Sequence, residues 1–364
     1  MSHHKFLLYD FMQVAGGAER VTLTLARAFP DYRTLVSRCY EEAKPLIDSM
    51  PVDITQLCGG WSVMLPRILE SMWCFRMRSQ RLAQADTVLY SGFYAPLAVH
   101  RQLVGRRLYY CHTVPRFVYD LYENTLNQLP WALRPLYVIF ARWFRWQYES
   151  AIRQMHRVVV NSENIRQRLK HYTGIDAEVI YPPVDVDGFE NLGDSGYYLS
   201  TARLVANKRV DVVVRAFLRM PHQKLVVASG GPEYERLKDM ARGASNIVFT
   251  GWQSDEALRR WVGGARAVIY LPVDEDFGMS PVEAMAAGKP VIGVQEGGLL
   301  ETIVPGQTGV LLPTPPSETD VENAVTTVDA WARQPGDELS QACRARAEQF
   351  SEAIFIQNMR RLLA

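Results

Sequence analysis

The chain has 364 residues, 48% of them hydrophobic and 22% charged, with 40 basic against 39 acidic side chains and a formal net charge of +1. That composition rules out a disordered chain and gives no bulk electrostatic reason to expect a nucleic-acid partner. No apolar run approaches the ~18–20 residues of a membrane-spanning helix, and the length exceeds one ordinary core, so two domains of about 150 to 200 residues with a cleft between them are expected.

The N-terminus, MSHHKFLLYDFM, enters a short apolar strand without the long apolar stretch and cleavage site of a signal peptide, and a cytosolic home is expected. Asp10, where that strand runs out, is read as an acceptor contact or a strand-end cap. In the following YDFMQVAGGAERVTLTLARAF, Gly16 and Gly17 stand between the strand and the first helix. Glycines there let the backbone approach a phosphate or sugar at a helix N-terminus, although a plain tight turn explains them equally. The stretch is not GxGxxG, so a dinucleotide site lacks its main support. Glu19 fits simple complementation of the helix dipole. The five cysteines, Cys39, Cys58, Cys74, Cys111 and Cys343, are scattered with no CxxC pair and suggest neither a zinc site nor a disulfide framework.

Further apolar runs, DTVLYSG, RLYYCH and RVVVNS, read as buried strands that end in polar or small residues. YYCHTVPRFVYD puts His112 at a strand's carboxyl end, followed by Arg116 and Asp120; a lone histidine there is a site residue or a satisfied structural group. Residues 131–157 combine the aromatic run FARWFRWQY with Arg142, Arg145 and Arg153. Such a helix can lie in a membrane interface, or pack as an amphipathic surface helix on its own domain.

YPPVDVDGFENLGDSG is rich in Pro, Gly and Asp and reads as the interdomain linker, giving domains at 1–187 and 196–345. The second half repeats the rhythm with GYYLSTA, KLVVASG, NIVFTG, ARAVIYLP and KPVIGV, separated by helical stretches such as DVVVRAFLRM. Alternation of this kind implies an α/β fold of two doubly wound parallel sheets, whose ligands sit at the carboxyl ends of the strands. The last segment, 346–364, is expected to end in a helix that packs back on the first domain.

The chemistry falls in those strand-end loops. TARLVANKRVDVV supplies Arg203 and Lys208, which can neutralise a diphosphate by fork and point charge, or belong to a solvated basic loop; Arg209 is read as a solvated neighbour. The loops SGGPE, with Gly231, and TGWQ, with Trp252, can hold a base and phosphate or merely turn the chain. In EDFGMSPVE, the segment Ser280-Pro281-Val282-Glu283 reads as a capping box, which by itself accounts for Glu283. Nothing local needs Glu275. The two acids are expected to face one crevice with the N–H groups of 278–282 between them. Asp274 and Asp276 formally match an Asp-x-Asp motif, but three-letter acidic matches are cheap and no metal site is expected.

Taken together, GGAER, HTVPRFVYD, VVVNSENIRQRL, VIYPPVDVDGF, ARLVANKRVD, SGGPE, EDFGMSPVEAMAAGKPVIG and GGLLETIVPGQTGVLLP resemble the retaining GT-B glycosyltransferases of family four, over nearly the whole chain and in the family's order. The resemblance implies the GT-B fold and transfer of a sugar from a nucleotide diphosphate sugar without a cofactor. It makes the two acids an E-x7-E element, in which Glu275 holds donor-sugar hydroxyls and Glu283 the ribose hydroxyls. Arg203 and Lys208 then bind the diphosphate, Gly17 faces the same group, and His112 stands near the reacting face of the sugar.

The expected catalytic set is therefore His112, Arg203, Lys208 and Glu275. Gly16, Gly17, Gly231, Trp252, Phe277, Gly278, Met279, Ser280 and Glu283 are expected around the donor, and Asp10, Arg116 and Asp120 on the acceptor side. No residue is an obvious nucleophile for double displacement, so front-side attack with retention is inferred. CHTVPRFVYD and VIYPPVDVDGF look most like bacterial transferases of surface-polysaccharide assembly, which makes GDP-mannose the expected donor. The expected acceptor is a saccharide or a polyprenyl-diphosphate-linked oligosaccharide, with peripheral contact to an anionic membrane. YDF, where many relatives read His-Asp-Trp, and Trp252 in a base-contacting loop are departures. A UDP-sugar transferase, a nucleotide-sugar epimerase of the same fold and a non-catalytic nucleotide-sugar-binding protein are the alternatives.

Overall fold

The apolar runs become strands because four or five consecutive apolar side chains are covered on both faces only inside a parallel sheet flanked by helices. The structure is a computed structural model that describes residues 4–13, 16–50, 52–58 and 67–364. The chain divides into two compact units, residues 1–181 and 182–364.

The first unit contains β1 (Lys5–Tyr9), α1 (Gly17–Ala28), β2 (Tyr32–Val36), α2 (Lys44–Ser49), β3 (Ile54–Gln56), α3 (Arg67–Met77), β4 (Thr87–Ser91), β5 (Arg106–Cys111), α4 (Tyr122–Gln128), α5 (Arg134–Ile152), β6 (Arg157–Val160), α6 (Glu163–Thr173) and β7 (Glu178–Val179). Its seven strands lie in the order β3-β2-β1-β4-β5-β6-β7, and every pairing is parallel. The order reverses between β1 and β4. In an open α/β sheet, ligands occupy the crevice at such a point, beyond the carboxyl ends of the two strands.

The second unit contains β8 (Tyr197–Ser200), α7 (Val210–Arg219), β9 (Lys224–Val227), α8 (Tyr234–Met240), β10 (Ile247–Phe249), α9 (Asp255–Gly264), β11 (Ala267–Ile269), α10 (Met279–Ala286), β12 (Val291–Val294), α11 (Leu299–Thr302), β13 (Gly309–Leu312), α12 (Glu318–Ala332), α13 (Glu338–Glu348) and α14 (Glu352–Leu363). Its sheet runs β10-β9-β8-β11-β12-β13, again wholly parallel. Here the reversal falls between β8 and β11. Two doubly wound parallel sheets, one per unit, are the α/β architecture expected from the sequence.

Helix boundaries follow local chemistry. The Ser162 hydroxyl accepts from the N–H of Ile165 at 3.1 Å and opens α6, and Gly174, at φ 72°, closes it. Ser317 and Asp320 form a reciprocal capping box on α12. The first unit's core gathers Phe75, Tyr90, Tyr109, Phe144 and Tyr148, all fully buried, and each such side chain contributes about 1.5–3 kcal/mol by leaving water. In the second unit Arg266 bridges Asp194 and Asp329, and Asp329 also accepts from the Tyr198 hydroxyl at 2.7 Å.

Three findings differ from the sequence reading. The strands β2, β3, β7 and β13 were not anticipated: YRTLV of β2 mixes polar with apolar residues, β3 and β7 span three and two residues, and β13, GVLL, is a short, half-buried edge strand. Cys58 and Cys74, 16 residues apart, form a disulfide that their spacing did not announce. The Pro- and Gly-rich stretch after Tyr181 is tied down: the N–H groups of Leu192 and Ser195 bind the carbonyls of Gly263 and Gly264, and buried Lys289 donates to Asn191 Oδ1 and the Gly193 carbonyl, both at 2.7 Å.

The reversal point of the first sheet depends on one glycine. Gly92 follows β4 at φ 89°, and a Cβ there would fall on the Asp10 carboxylate. Backbone strain and overpacking then act together. Gly92→Ala is expected to lower unfolding stability by about 3 kcal/mol, read as a reduced urea midpoint at unchanged slope; a midpoint equal to wild type contradicts this account.

Candidate functional site

In the second unit, the loops leaving β8 and β11 meet at the reversal point. The Val273 N–H binds the Asn207 carbonyl at 2.7 Å. Beside that bond, the Lys208 ammonium pairs with the Glu275 carboxylate and donates to the Tyr270 hydroxyl at 3.0 Å, lying 5.2 Å over the Tyr270 ring. Lys208 and Glu275, 18% and 22% exposed, are thus brought together half-buried. Burial, with the Glu275 charge next, pushes the Tyr270 phenol well above its usual range and keeps it protonated.

Arg209 corrects the sequence reading. It is no solvated neighbour: its guanidinium pairs with Glu296 and donates to the Pro272 carbonyl at 3.3 Å, with its side chain 17% exposed. Arg209 sits at φ 49° and Asp274 at φ 44°, the two non-glycine residues with positive φ among those described. They adjoin Lys208 and Glu275 respectively. Strained backbone of this kind persists where the surroundings over-determine it, and such places cluster at functional sites. Arg203, on the same β8 loop, is exposed, and its guanidinium has no ion pair or hydrogen bond among the described residues. At the strand end itself the hydroxyls of Ser200 and Thr201 are buried without a hydrogen-bond partner among the described residues, groups that ordinarily find water or ligand.

Glu283 also differs from expectation. Helix α10 opens at Met279, with Gly278 as N-cap at φ 90° and no side-chain cap. The capping box does not form, because the left-handed glycine starts the helix before Ser280 and leaves Glu283 one turn inside it. Met279 and Ser280 are half-buried in the first turn, where N–H groups favour anions. Phe277 turns inward, 3% exposed, with its ring 5.3 Å from that of Phe350, so its side chain packs and only its backbone is at the loop. A second glycine pair shapes this loop from behind: the Gly298 N–H binds the Glu275 carbonyl at 2.8 Å, and a Cβ on Gly297 or Gly298 would strike the backbone of residues 274–277.

Beyond β9, the Trp252 indole lies across Gly230, where a Cβ would meet it, while the indole remains 69% exposed. Gly231, at φ 153°, abuts the Leu204 backbone, so this loop is held against the one carrying Arg203.

In the first unit, Asp10, Ser91 and His112 stand at the carboxyl ends of β1, β4 and β5. The buried Asp10 carboxylate accepts three backbone N–H bonds, from Phe93, Tyr94 and Ala95, at 2.7–2.8 Å. It caps the 3-10 turn Ala95–Arg101. Burial pushes its carboxyl up to about 7, against the three N–H bonds that pull it down. His112 is buried, with Nε2 at 2.7 Å from the Ser91 hydroxyl and its ring edge-on to those of Tyr9 and Tyr110. Arg116 and Asp120 pair with each other, Nε to Oδ2 at 2.7 Å, and Asp120 Oδ1 is buried without a hydrogen-bond partner among the described residues. Gly16 precedes α1 with extended backbone, and Gly17 opens the helix without a side-chain cap.

Tyr270, Ser91, Thr201, Glu296 and the Gly297–Gly298 pair were missed as site residues. Their common signal was position: Ser91, Tyr270 and Thr201 end or directly follow strands beside the reversal points. Among the described residues no group of three or more His, Cys, Asp or Glu side chains is placed to hold a metal ion.

Comparison with known proteins agrees with this fold. A model of Glycosyltransferase Family 4 matches residues 15–187, and a model of Glycosyl transferases group 1 matches residues 188–350. Between them the two models span residues 15–350, and the chain is a glycosyltransferase of GT-B fold. It is 27% identical over 350 residues to alpha-1,3/1,6-mannosyltransferase ALG2 of Mus musculus, covering 81% of each chain. Its fold matches sucrose-phosphate synthase of Thermosynechococcus elongatus with a TM-score of 0.77 at 19% identity, covering 99% and 98% of the two chains. It matches Anabaena HepE in complex with UDP with a TM-score of 0.75 at 17% identity, covering 98% and 99%.

The buried imidazole gives a pH test. Burial lowers the His112 pKa from 6.5 to about 3, so the folded state keeps it neutral while the unfolded chain takes up a proton below 6.5. Its contribution to stability is complete above 6.5 and falls away as pH drops towards 3. Relative to His112→Gln, which does not titrate, the wild type is expected to lose up to about 1.4 kcal/mol per pH unit below 6.5. Melting temperatures of both proteins from pH 8 to 4 read this; a constant difference refutes the neutral histidine.

Proposed function

We propose that this glycosyltransferase transfers a hexose, with mannose from GDP-mannose as first choice, to a saccharide acceptor carried on a lipid diphosphate in surface-polysaccharide synthesis. The observation that carries the reading is the Lys208–Glu275 pair beside the exposed Arg203 at the β8–β11 reversal point. The ALG2 relative, named a mannosyltransferase, favours mannose. The UDP complex of Anabaena HepE favours a second reading, with a UDP-sugar as donor.

In the proposed reaction the bond from the anomeric carbon to the diphosphate oxygen breaks, and the acceptor hydroxyl oxygen bonds to that carbon from the same face. The proton of that hydroxyl passes to the departing phosphate oxygen, and configuration is retained. Arg203 and Lys208 act where negative charge grows, the place where fixed charge lowers a barrier. Glu275 holds sugar hydroxyls while keeping Lys208 in place, and Glu283 reaches the ribose hydroxyls. Trp252 offers its exposed face to the base. The first-turn N–H groups of Met279 and Ser280, with the backbone of Gly16, Gly17, Gly231, Phe277 and Gly278, line the donor. His112, neutral and bound to Ser91, hydrogen-bonds the donor sugar, and Asp10, Arg116 and Asp120 shape the acceptor side. No helix of the described residues is long and apolar enough to cross a membrane, and the segment 131–157 is proposed to touch the inner face of the cell membrane peripherally.

Arg203→Ala and Lys208→Ala are each expected to lower turnover by about 10²-fold or more, the scale of losing one charge-stabilising group. Mass spectrometry of product formed from GDP-mannose and a lipid-linked acceptor reads the rate, and wild-type turnover in Arg203→Ala removes that residue from the reaction. A melting-temperature screen of GDP, UDP and ADP decides the donor class, since a ligand of the folded state alone raises the midpoint. A shift with GDP that Lys208→Ala abolishes is the expected result; a shift with UDP alone transfers the reading to its alternative.

A further inference from the structure

Large apolar side chains are unevenly exposed on the first unit. Six of them, Trp131, Leu133, Leu136, Ile139, Trp143 and Trp146, occur on the turn before α5 and on α5 itself, and three more, Leu69, Trp73 and Met77, on α3. On α5 the exposed face is set by sequence: Ala141, Phe144, Tyr148 and Ala151 turn to the core, which leaves Ile139 and Trp146, at 67% and 64% exposure, in water, next to Trp131 of the preceding turn at 83%. Monomeric proteins rarely leave so much contiguous apolar surface uncovered.

The two helices form one surface. Arg76 on α3 donates to Gln147 on α5 at 2.9 Å, and a cavity of about 180 Å3 between them is walled chiefly by Leu69, Met72, Trp73, Met77, Leu97 and Trp143. Its charge has one sign. Arg67, Arg76, Arg78 and Arg81 are exposed along and after α3, with the Arg78 guanidinium 5.3 Å over the Trp73 ring. The carboxylate within that stretch, Glu70, is buried and paired with Arg38. Arg142 is exposed on α5, and the first carboxylate of that helix, Glu149, is held by Tyr119 and Arg153.

We infer that α3 and α5 together are the docking surface for an anionic bilayer, with the groove between Trp73 and Trp143 receiving lipid hydrocarbon. This rests on the peripheral contact proposed above for residues 131–157, and it adds a second helix and a groove. Tryptophan rings settle at the boundary between headgroups and hydrocarbon, and arginines among them bind anionic headgroups. A second copy of the chain does not fit this face, because two surfaces of the same positive charge repel. The bilayer satisfies both the apolar and the cationic features at once.

The test is co-sedimentation of the full chain with phosphatidylcholine vesicles, with and without phosphatidylglycerol, at low and high salt. Wild type is expected to bind the anionic vesicles at low salt and to be released by salt. The pair Trp73→Ser with Met77→Ser on α3, and the pair Trp143→Ser with Trp146→Ser on α5, are each expected to weaken partitioning at least tenfold. Arg76→Glu with Arg78→Glu is expected to abolish binding to the anionic vesicles by charge alone. A ligand-free melting curve and a circular-dichroism spectrum matching wild type certify each variant as folded. If the α5 pair abolishes binding and neither α3 variant does, the two-helix surface is wrong while the single-segment contact survives. If wild type binds no vesicle, both fall. Equal binding to neutral and anionic vesicles, or a dimer in sedimentation velocity that the same substitutions dissolve, also overturns the inference.

Discussion

The ammonium of Lys208, held between the Glu275 carboxylate and the Tyr270 hydroxyl, organises the second unit's site. It joins a loop that leaves β8 to one that leaves β11, and both loops bend through left-handed backbone, at Arg209 and Asp274, to let it form. Each such residue costs of order 1–3 kcal/mol of strain, which the surrounding contacts must offset. Arg209 is held by Glu296 and the Pro272 carbonyl, and the β11 loop is backed by the Gly297–Gly298 pair. One consequence is electrostatic. With Lys208 already neutralised by Glu275 and Arg209 by Glu296, Arg203 is the cation of this loop whose charge is not paired among the described residues.

The carboxyl edge of the first sheet uses the same topology with different chemistry. Its acid accepts from three backbone N–H groups, its histidine is kept neutral by burial, and Arg116 pairs with Asp120. What this edge presents is hydrogen bonding in fixed directions and little net charge. The two strand edges therefore differ in electrostatics: the second unit's loops carry charged side chains, and the first unit's edge carries groups already held in hydrogen bonds.

Much of this was legible in the sequence, for a physical reason. Buried parallel strands need unbroken apolar runs, and the residues that follow such runs stand at a sheet's carboxyl edge, so KFLLYDF, RLYYCH and ARAVIYLP locate Asp10, His112 and the Glu275 loop from the sequence alone. What escaped was whatever depends on two distant segments meeting. Lys208 and Glu275 are 67 residues apart, and no spacing rule announces that one neutralises the other. Arg209 looked solvated because its partners lie 63 and 87 residues away. The capping box at Ser280 failed for a local reason, since Gly278 adopts a left-handed conformation that begins the helix early. Strand β2 was overlooked because YRTLV gains its apolar cover from α1 and from its neighbours in the sheet.

Asp10 carries an implication for how the chain assembles. Strand β1 is made first yet lies in the middle of its sheet, and the groups that satisfy its terminal carboxylate are 83 to 85 residues away. Strand β2 follows closely and can pair at once, but the other edge of β1 stays open until β4 has been synthesised. Contacts of that separation are paid for in loop entropy before they return anything, which slows folding. On a ribosome, the carboxylate of Asp10 therefore remains hydrated through the emergence of α1, α2 and α3. Its three N–H partners at residues 93–95 become available only after β4, the strand that closes the other edge of β1, has been made.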